Sequence, residues 1–170
     1  MSNENVGFEV TDEVQVGDLS AVQTQILPVA QNVKVRVVKA SVDSSKDKAL
    51  KTLKVELKIV DGIPVGDEMK YINKSIFPGF MDLCVWADPA IKTSAWYQSK
   101  QHLLGFKQFC QALDIDVKDV KINDEFLSSL IGLELTVNIG HEEETVMGED
   151  GKRVKTGTLR ERIRGFRKVV

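Results

Sequence analysis

The sequence predicts a mainly β protein with five strands and a single helix between the third and the fourth strand. Three observations predict this class. Apolar and charged residues alternate in several short segments, which is the period of a strand that buries one face. Turns that contain glycine or proline separate these segments, and one longer segment has the apolar spacing of an amphipathic helix.

Three strands precede the helix. Valines alternate with basic residues over 33–37, which predicts the first strand. The polar, lysine-rich stretch 41–51 predicts a loop, and the clearest alternation in the chain, over 53–59, predicts the second strand. A third strand is expected over 68–77, where Pro78-Gly79 ends it.

The helix is expected to begin after Thr93 or Ser94, because either side chain can cap it by accepting hydrogen bonds from the first turn. A short helical turn is also expected over 123–129. Five apolar residues of the longer helix fall within an arc of about 100° and should form its buried stripe: Trp96, Leu103, Phe106, Cys110 and Leu113.

The last two strands flank a long connection. Alternation over 133–139 predicts the fourth strand, and residues 140–157, rich in glutamate and glycine, predict a flexible connection. Arginines alternate with apolar residues in the closing strand, where Gly165 predicts a bulge or a kink.

Five strands with a helix between the third and the fourth is the element order of an OB-fold, a small, partly open Greek-key barrel. We therefore expect a five-stranded OB-fold barrel over residues 31–170. An acidic, glutamine-rich N-terminal arm over residues 1–30 precedes it and should be mobile or loosely docked. The length of 170 residues fits one domain with such an extension.

Composition excludes several classes of protein. No run of about 18 apolar residues is present, so no membrane-spanning segment is expected, and the N-terminus lacks the pattern of a signal peptide. Cys84 and Cys110 lie in apolar segments and are expected to be buried thiols of a reducing cytoplasm. We therefore expect a cytoplasmic location and no disulfide.

Basic charge is concentrated at the C-terminal end of the chain. Residues 152–170 hold eight basic residues and one acid, a formal charge of +7, whereas the rest of the chain carries −9. Such a concentration is the electrostatic footprint expected of a protein that binds a polyanion. The alternative is a solvated, arginine-rich edge strand.

Short phrases along residues 27–170 match a known pattern: Leu27-Pro28, residues 33–37, residues 53–62, residues 103–110, Leu130-Ile131-Gly132 and residues 162–166. On these phrases the chain resembles the phage and phage-like single-stranded DNA-binding proteins of OB-fold type. These DNA-binding proteins include one family from phage replication modules that has long been described only as a domain of unknown function.

The resemblance implies a noncatalytic protein that coats and protects single-stranded DNA in replication or recombination, with little sequence preference. Its partners would be single-stranded DNA and replication or recombination proteins, and a homo-oligomer is possible. The chain departs from the bacterial proteins of this kind at its end. Those proteins close with an acidic tail that recruits partners, whereas this chain closes with Arg167-Lys168-Val169-Val170.

Binding of a single strand requires a cationic groove for the phosphates and aromatic faces on which bases stack. The cations that we expect to contact DNA lie on predicted strands or beside them: Lys34, Arg36, Lys54, Lys58, Lys74, Arg160, Arg162, Arg164 and Arg167. The alternative is that these side chains face solvent on the outside of a barrel.

Three aromatic residues are candidates for stacking: Tyr71, Trp86 and Phe166. Tyr71 could instead pack across strands, and Trp86, in a predicted loop, could pack over the barrel. Trp96, by contrast, belongs to the predicted helical stripe, which favours a packing role.

An enzyme is not expected. His102 and His141 lack metal-ligand partners at a suitable spacing, and no phosphate-binding loop follows Gly62 or Gly66, so neither a metal nor another cofactor is predicted. The acidic stretch 142–144 could compete with DNA for the arginines of the last strand. The alternative function is a protein-interaction or structural module of a viral or replication assembly, in which those arginines contact an acidic partner.

Overall fold

The computed structural model describes residues 26–118 and 120–170, and most of its regular structure is strand. The strands are β1 Ala30–Ser44, β2 Leu50–Ile59, β3 Ile63–Val65, β4 Glu68–Lys70, β5 Ser75–Ile76, β6 Cys84–Ala87, β7 Glu134–Met147 and β8 Arg153–Arg167. The α-helices are α1 Ala95–Gln98, α2 Leu104–Ala112 and α3 Asp124–Leu130, and two 3-10 turns cover Phe80–Leu83 and Gln101–Leu103.

One antiparallel sheet organises the molecule. Its strands follow the order β5-β2-β1-β7-β8, and β6 pairs with the other end of β2. The short strands β3 and β4 form a separate hairpin. The prediction of a mainly β protein is confirmed. Within residues 26–118 and 120–170, however, no ladder joins β8 to β5 or β6, so hydrogen bonds do not close the sheet into a barrel.

The core lies on one side of this sheet because the apolar residues of β1, β2 and β7 alternate in register. Val35 lies opposite Leu135, and Val37 opposite Leu57, and all four side chains are fully buried. Burying a side chain of this size stabilises the fold by about 1.5–3 kcal/mol. Phe109 of α2 is also fully buried, so α2 covers one end of the core.

The two predicted loops are shorter than expected. Residues 140–157 do not form a flexible connection, because β7 and β8 pair as a long hairpin up to Met147 and Arg153. Glu142 of β7 lies opposite Arg160 of β8, and a cross-strand pair of opposite charge stabilises a ladder. The predicted loop 41–51 is likewise mostly strand, with a turn only over 45–49.

The predicted third strand and the predicted single helix are both interrupted by residues in the left-handed backbone region. Tyr71 and Asn73 have φ values of 66° and 62°, so the segment 68–77 contributes only the short strands β4 and β5. Lys100 has a φ of 60°, which separates α1 from the 3-10 turn that leads into α2. The prediction of one continuous helix was therefore wrong.

Most of the predicted N-terminal arm, residues 1–25, lies outside the described residues. The part that is described packs on the body. Leu27 is fully buried, its N–H donates to Glu161 Oε2 at 2.7 Å, and its carbonyl accepts from His141 Nε2 at 2.7 Å. The chain therefore enters the domain beside β7 and β8.

Candidate nucleic-acid interface

A groove runs along β8, between that strand and the segment that contains the first 3-10 turn, α1 and α2. It consists of three adjoining clefts of about 490, 370 and 420 Å³. The first two share Asp82 and Arg162 in their lining, and the last two share Arg164 and Gly165. The basic wall of this β8 groove is formed by Arg153, Arg160, Arg162, Arg164, Arg167 and Lys168.

A bulge in β8 places Arg164 in the groove. Ile163 pairs with Ile139 in the buried layer, but Gly165 pairs with Asn138, so Arg164 is an extra residue in the ladder. The predicted irregularity near Gly165 is confirmed. Gly140 leaves room for the Arg164 side chain, because a Cβ there would lie 2.9 Å from its Cγ and Nε atoms.

Arg164 and Arg167 carry uncompensated charge in the groove, as does Arg153 at the turn end of the β7-β8 hairpin. Arg164 Nη2 donates to the carbonyl oxygen of His141 at 2.9 Å, which leaves its positive charge unneutralised. In the part of the chain that the structure describes, no carboxylate lies within 4 Å of any of these three guanidinium groups. All three side chains are exposed.

Arg160 and Arg162, in contrast, share a carboxylate. Arg162 Nη1 donates to both oxygens of Glu142 at 2.8 Å, and Arg160 Nη2 lies 3.2 Å from Glu142 Oε2. Arg162 also donates to Asp82 Oδ1 at 3.1 Å. The hydrogen bond from Arg162 lowers the pKa of Glu142, and the same bond raises the pKa of Arg162. These two arginines are thus held in place and largely neutralised.

Exposed aromatic rings form the opposite wall of the groove. Phe77, Phe80 and Trp96 expose 56%, 37% and 47% of their surface. The sequence reading missed all three. Phe77 and Phe80 flank Pro78-Gly79, and apolar residues on both sides of a Pro-Gly pair that ends a strand were a signal that could have been used.

Trp96 was assigned to the buried helical stripe, and the structure corrects this. The stripe requires one continuous helix, but α1 is only four residues long and ends before the left-handed residue Lys100. Trp96 therefore packs edge-to-face on Tyr97, with ring centroids 4.8 Å apart, and turns its remaining surface toward the groove.

Four predicted cations lie instead on the outward face of the sheet. Lys34 and Arg36 of β1 are neutralised by Glu134 of β7, at 3.2 Å and 2.6 Å, and the hydrogen bond from Arg36 is the main cause that lowers the pKa of Glu134. Lys54 and Lys58 of β2 share this face, where Lys58 lies opposite Arg36. Neither lysine has a carboxylate within 4 Å among the described residues.

Arg167 borders both cationic surfaces. Its strand partner is Thr136, which in turn lies opposite Lys34, so these three positions form one row across the outward face. Arg167 also lines the last cleft of the β8 groove, together with Gln111 and Lys168. The Lys168 ammonium group pairs with Asp114 at 2.7 Å, so it adds less free charge than Arg167.

The predicted stacking residues lie away from the groove or are covered. Phe166 is only 9% exposed and its ring packs edge-to-face on Phe109 at 5.4 Å, so it has no free face for a base and forms the floor of the groove. Tyr71 is partly buried against the core, and Lys74 is exposed in the turn before β5. Sequence reasoning could not have placed Phe166, because its burial depends on α2.

Trp86 is on β6 rather than in the predicted loop. It is 40% exposed, and the Lys51 ammonium group lies 5.3 Å from its ring centroid. It lines a different cleft, with Val42 and Phe106 among its neighbours. The structure therefore does not bring Trp86 together with the arginines of β8.

The chemistry of the β8 groove is that of a binding surface for an anion with flat apolar groups. Within residues 26–118 and 120–170, no group of three or more His, Cys, Asp or Glu side chains could hold a metal ion. Among the same residues, no helix has the length and apolarity needed to cross a membrane.

No protein-family model matches the chain, and no curated protein matches it.

Proposed function

We propose that this protein is a noncatalytic single-stranded DNA-binding protein, and that the strand lies along the β8 groove. The observation that carries the proposal is the pairing of two walls. Arg164 and Arg167 offer positive charge with no carboxylate partner among the described residues, and the exposed rings of Phe77, Phe80 and Trp96 face the same groove. Phosphates and unstacked bases need these two kinds of surface together.

A single strand fits this arrangement better than a duplex. The faces of the bases are covered in a duplex, so exposed rings can stack only on bases that are unpaired. Because every base has a face that can stack, the contacts would discriminate little between sequences. The role that we propose is to coat and protect single-stranded DNA during phage-type replication or recombination, in the cytoplasm.

The proposal includes an OB-type arrangement of the sheet. An antiparallel sheet with its helices between β6 and β7 supports it, as does the resemblance of residues 27–170 to the phage proteins. An OB-fold binds about 4–16 nucleotides, depending on the protein and its binding mode. A self-association that lets neighbouring protomers continue along the strand belongs to the same proposal.

The test is an anisotropy titration with a labelled oligo(dT) of about thirty nucleotides, which spans several such sites. It is run at low and at high salt, with a matched duplex as competitor. We expect tight binding that the duplex does not displace and that weakens as salt rises, since each neutralised phosphate contributes roughly 0.7 to the slope of log K against log salt. Absence of binding at low salt would sink the proposal.

A second candidate function is a protein-interaction module, which one further surface favours. A cleft of about 620 Å³ next to α2 is lined by apolar side chains, including Leu104 and Phe106, and is rimmed by Lys100, Lys107 and Lys118. This combination suits an acidic protein segment with apolar anchors. Protein that does not bind DNA, but whose binding of such a segment is lost when the three lysines are replaced by glutamine, would support this reading.

A further inference from the structure

The middle cleft of the β8 groove contains a buried histidine whose hydrogen bonding is incomplete. His102 is 7% exposed, and its Nδ1 atom has no hydrogen-bond partner among the described residues. Its ring lies 6.0 Å from that of Trp96 and 5.1 Å from that of Tyr97, and it contributes to the lining of the cleft. A buried polar atom without a partner is uncommon in a folded protein.

The surroundings of His102 determine where its proton lies. Burial lowers the pKa of the imidazole, which favours the neutral form. A proton on Nδ1 would be a buried donor without an acceptor, and orphaned N–H donors are rare in native structures. We therefore assign the proton of the neutral ring to Nε2, the other ring nitrogen of a residue that lines the cleft.

Trp96 and Arg164 complete the wall of this cleft. Trp96 is held by its edge-to-face contact with Tyr97, so its exposed part is a fixed apolar surface. Arg164 supplies a guanidinium that has no carboxylate partner in the described part of the chain. The cleft, of about 370 Å³, thus combines a flat ring, a neutral N–H donor and a cation.

We propose that Trp96, His102 and Arg164 form a subsite for one nucleotide of the bound strand. The base stacks on Trp96, His102 Nε2–H donates to an acceptor on the edge of that base, and Arg164 pairs with an adjoining phosphate. The subsite rests on the proposed function, since the nucleotide is part of a single strand in the β8 groove. It differs from the rest of the groove because it requires a base as well as a phosphate.

Intrinsic fluorescence can isolate Trp96, because the chain has two tryptophans. In a Trp86→Phe variant, titration with an oligo(dT) of about ten nucleotides, within the range of one OB-fold site, should quench the Trp96 emission. Trp96→Ala should weaken binding of that oligonucleotide by about tenfold, within the range for loss of one stacked base, whereas Trp86→Ala should change it by less than about twofold.

A second arm tests the requirement for a base. An oligonucleotide of the same length with abasic positions should bind the natural protein more weakly, by about tenfold for each base that no longer stacks. This loss should be about tenfold smaller in Trp96→Ala, because that variant has already lost the stacking at this subsite. His102→Gln, which keeps a donor, should bind better than His102→Leu, provided that thermal unfolding shows both variants to be folded.

The outcomes separate the subsite from the proposed function. If single-stranded DNA binds in a salt-sensitive way but neither the Trp96 emission nor the affinity of Trp96→Ala changes, the subsite is wrong and the proposed function stands. Losses from Trp96→Ala and from the abasic oligonucleotide that multiply independently would also overturn the subsite. If no single-stranded DNA binds at low salt, both fall.

Discussion

The outward face of the sheet and the β8 groove are both cationic, but their carboxylates lie in different places. On the sheet face, Glu134 sits between Lys34 and Arg36 and neutralises the centre of the surface. In the groove, the carboxylates of Asp82 and Glu142 both pair with Arg162, and no carboxylate in the described part of the chain pairs with Arg164. Strands β1 and β8 have the same alternation of basic and apolar residues, but they therefore produce different electrostatic potentials at their surfaces.

The two surfaces also differ in what lies across from the cations. The sheet face is a single layer of side chains on neighbouring strands, so a ligand would contact it from one side. The groove has a second wall, in which Phe80 and Trp96 approach β8 from the segment before α2. This comparison leads us to propose that DNA lies in the groove. Substitutions on each of the two surfaces can test that proposal.

The largest expected effect is on DNA affinity when cations without a carboxylate partner are removed from one surface or from the other. Replacing Arg164 and Arg167 by glutamine should weaken binding of single-stranded DNA by at least about tenfold at low salt, and should lower the salt slope by about 1.4, since two phosphate contacts are lost. Replacing Lys54 and Lys58 by glutamine removes the same formal charge and should have less than about a twofold effect. Anisotropy titrations at several salt concentrations measure both.

The lysine pair is a matched control, because Lys54 and Lys58, like the two arginines, have no carboxylate within 4 Å among the described residues. Equal losses from the two double variants would mean that the strand crosses the sheet face or that only net charge matters. A loss from the lysines alone would move the interface to β1 and β2.

A smaller effect, of opposite sign, is expected from the acid in the groove. Glu142→Gln leaves the side chain its size but removes the charge that Arg160 and Arg162 share, so DNA binding should tighten by roughly three- to tenfold and depend more steeply on salt. Glu134→Gln frees Lys34 and Arg36 in the same way and should change the affinity by less than about twofold. The measurement is again the anisotropy titration.

This prediction narrows the sequence-based hypothesis that the acidic stretch 142–144 competes with DNA. Glu142 contacts the arginines, whereas Glu143 pairs with Lys155 at 3.4 Å near the far end of the hairpin. If Glu142→Gln binds DNA no better than the natural protein, the carboxylate does not compete. If Glu134→Gln tightens DNA binding as much as Glu142→Gln does, the outward face of the sheet also contacts the DNA.

Local patterns were sufficient to predict β1 and β2 but not the groove. Alternation over 33–37 and 53–59 depends on which side of one strand is buried, and the apolar residues of both segments are buried as predicted. The same reasoning placed arginines on one side of β8. It could not predict that Asp82, eighty residues earlier in the chain, would bind Arg162, because that contact depends on tertiary packing.

The missed role of Trp96 has a similar physical cause. No residue within four positions of Lys100 is a glycine or a proline, and yet the backbone of Lys100 is left-handed. The helical stripe was therefore drawn through residues that belong to two separate helices. Phe109, Cys110 and Ala112 of α2 are buried as a stripe, and Trp96 is not part of it.

The smallest expected effect is on the pH dependence of the unfolding temperature, to which one glutamate of each surface contributes. Hydrogen bonds from Arg36 and from Arg162 lower the pKa values of Glu134 and Glu142 in the folded protein. A carboxyl group whose pKa is lower when folded stabilises the protein above its unfolded pKa, and this contribution is lost as the pH falls through the folded value. The unfolding temperature should therefore decrease below about pH 4.5, near the ordinary glutamate pKa.

Single Glu134→Gln and Glu142→Gln variants divide this decrease between the sheet face and the groove. Each variant should lower the unfolding temperature only slightly at neutral pH, because exposed ion pairs contribute little to stability. Each should also reduce the decrease in unfolding temperature between about pH 5 and 3, because a neutral amide does not titrate. Calorimetry at several pH values measures both effects. Glu142 accepts hydrogen bonds from two arginines, whereas Glu134 is bound by one arginine and one lysine. We therefore expect Glu142→Gln to flatten the acid limb at least as much as Glu134→Gln. A steeper acid limb in either variant would contradict the direction of the pKa shift on that surface, and equal slopes for both variants and the natural protein would show that neither ion pair contributes to stability.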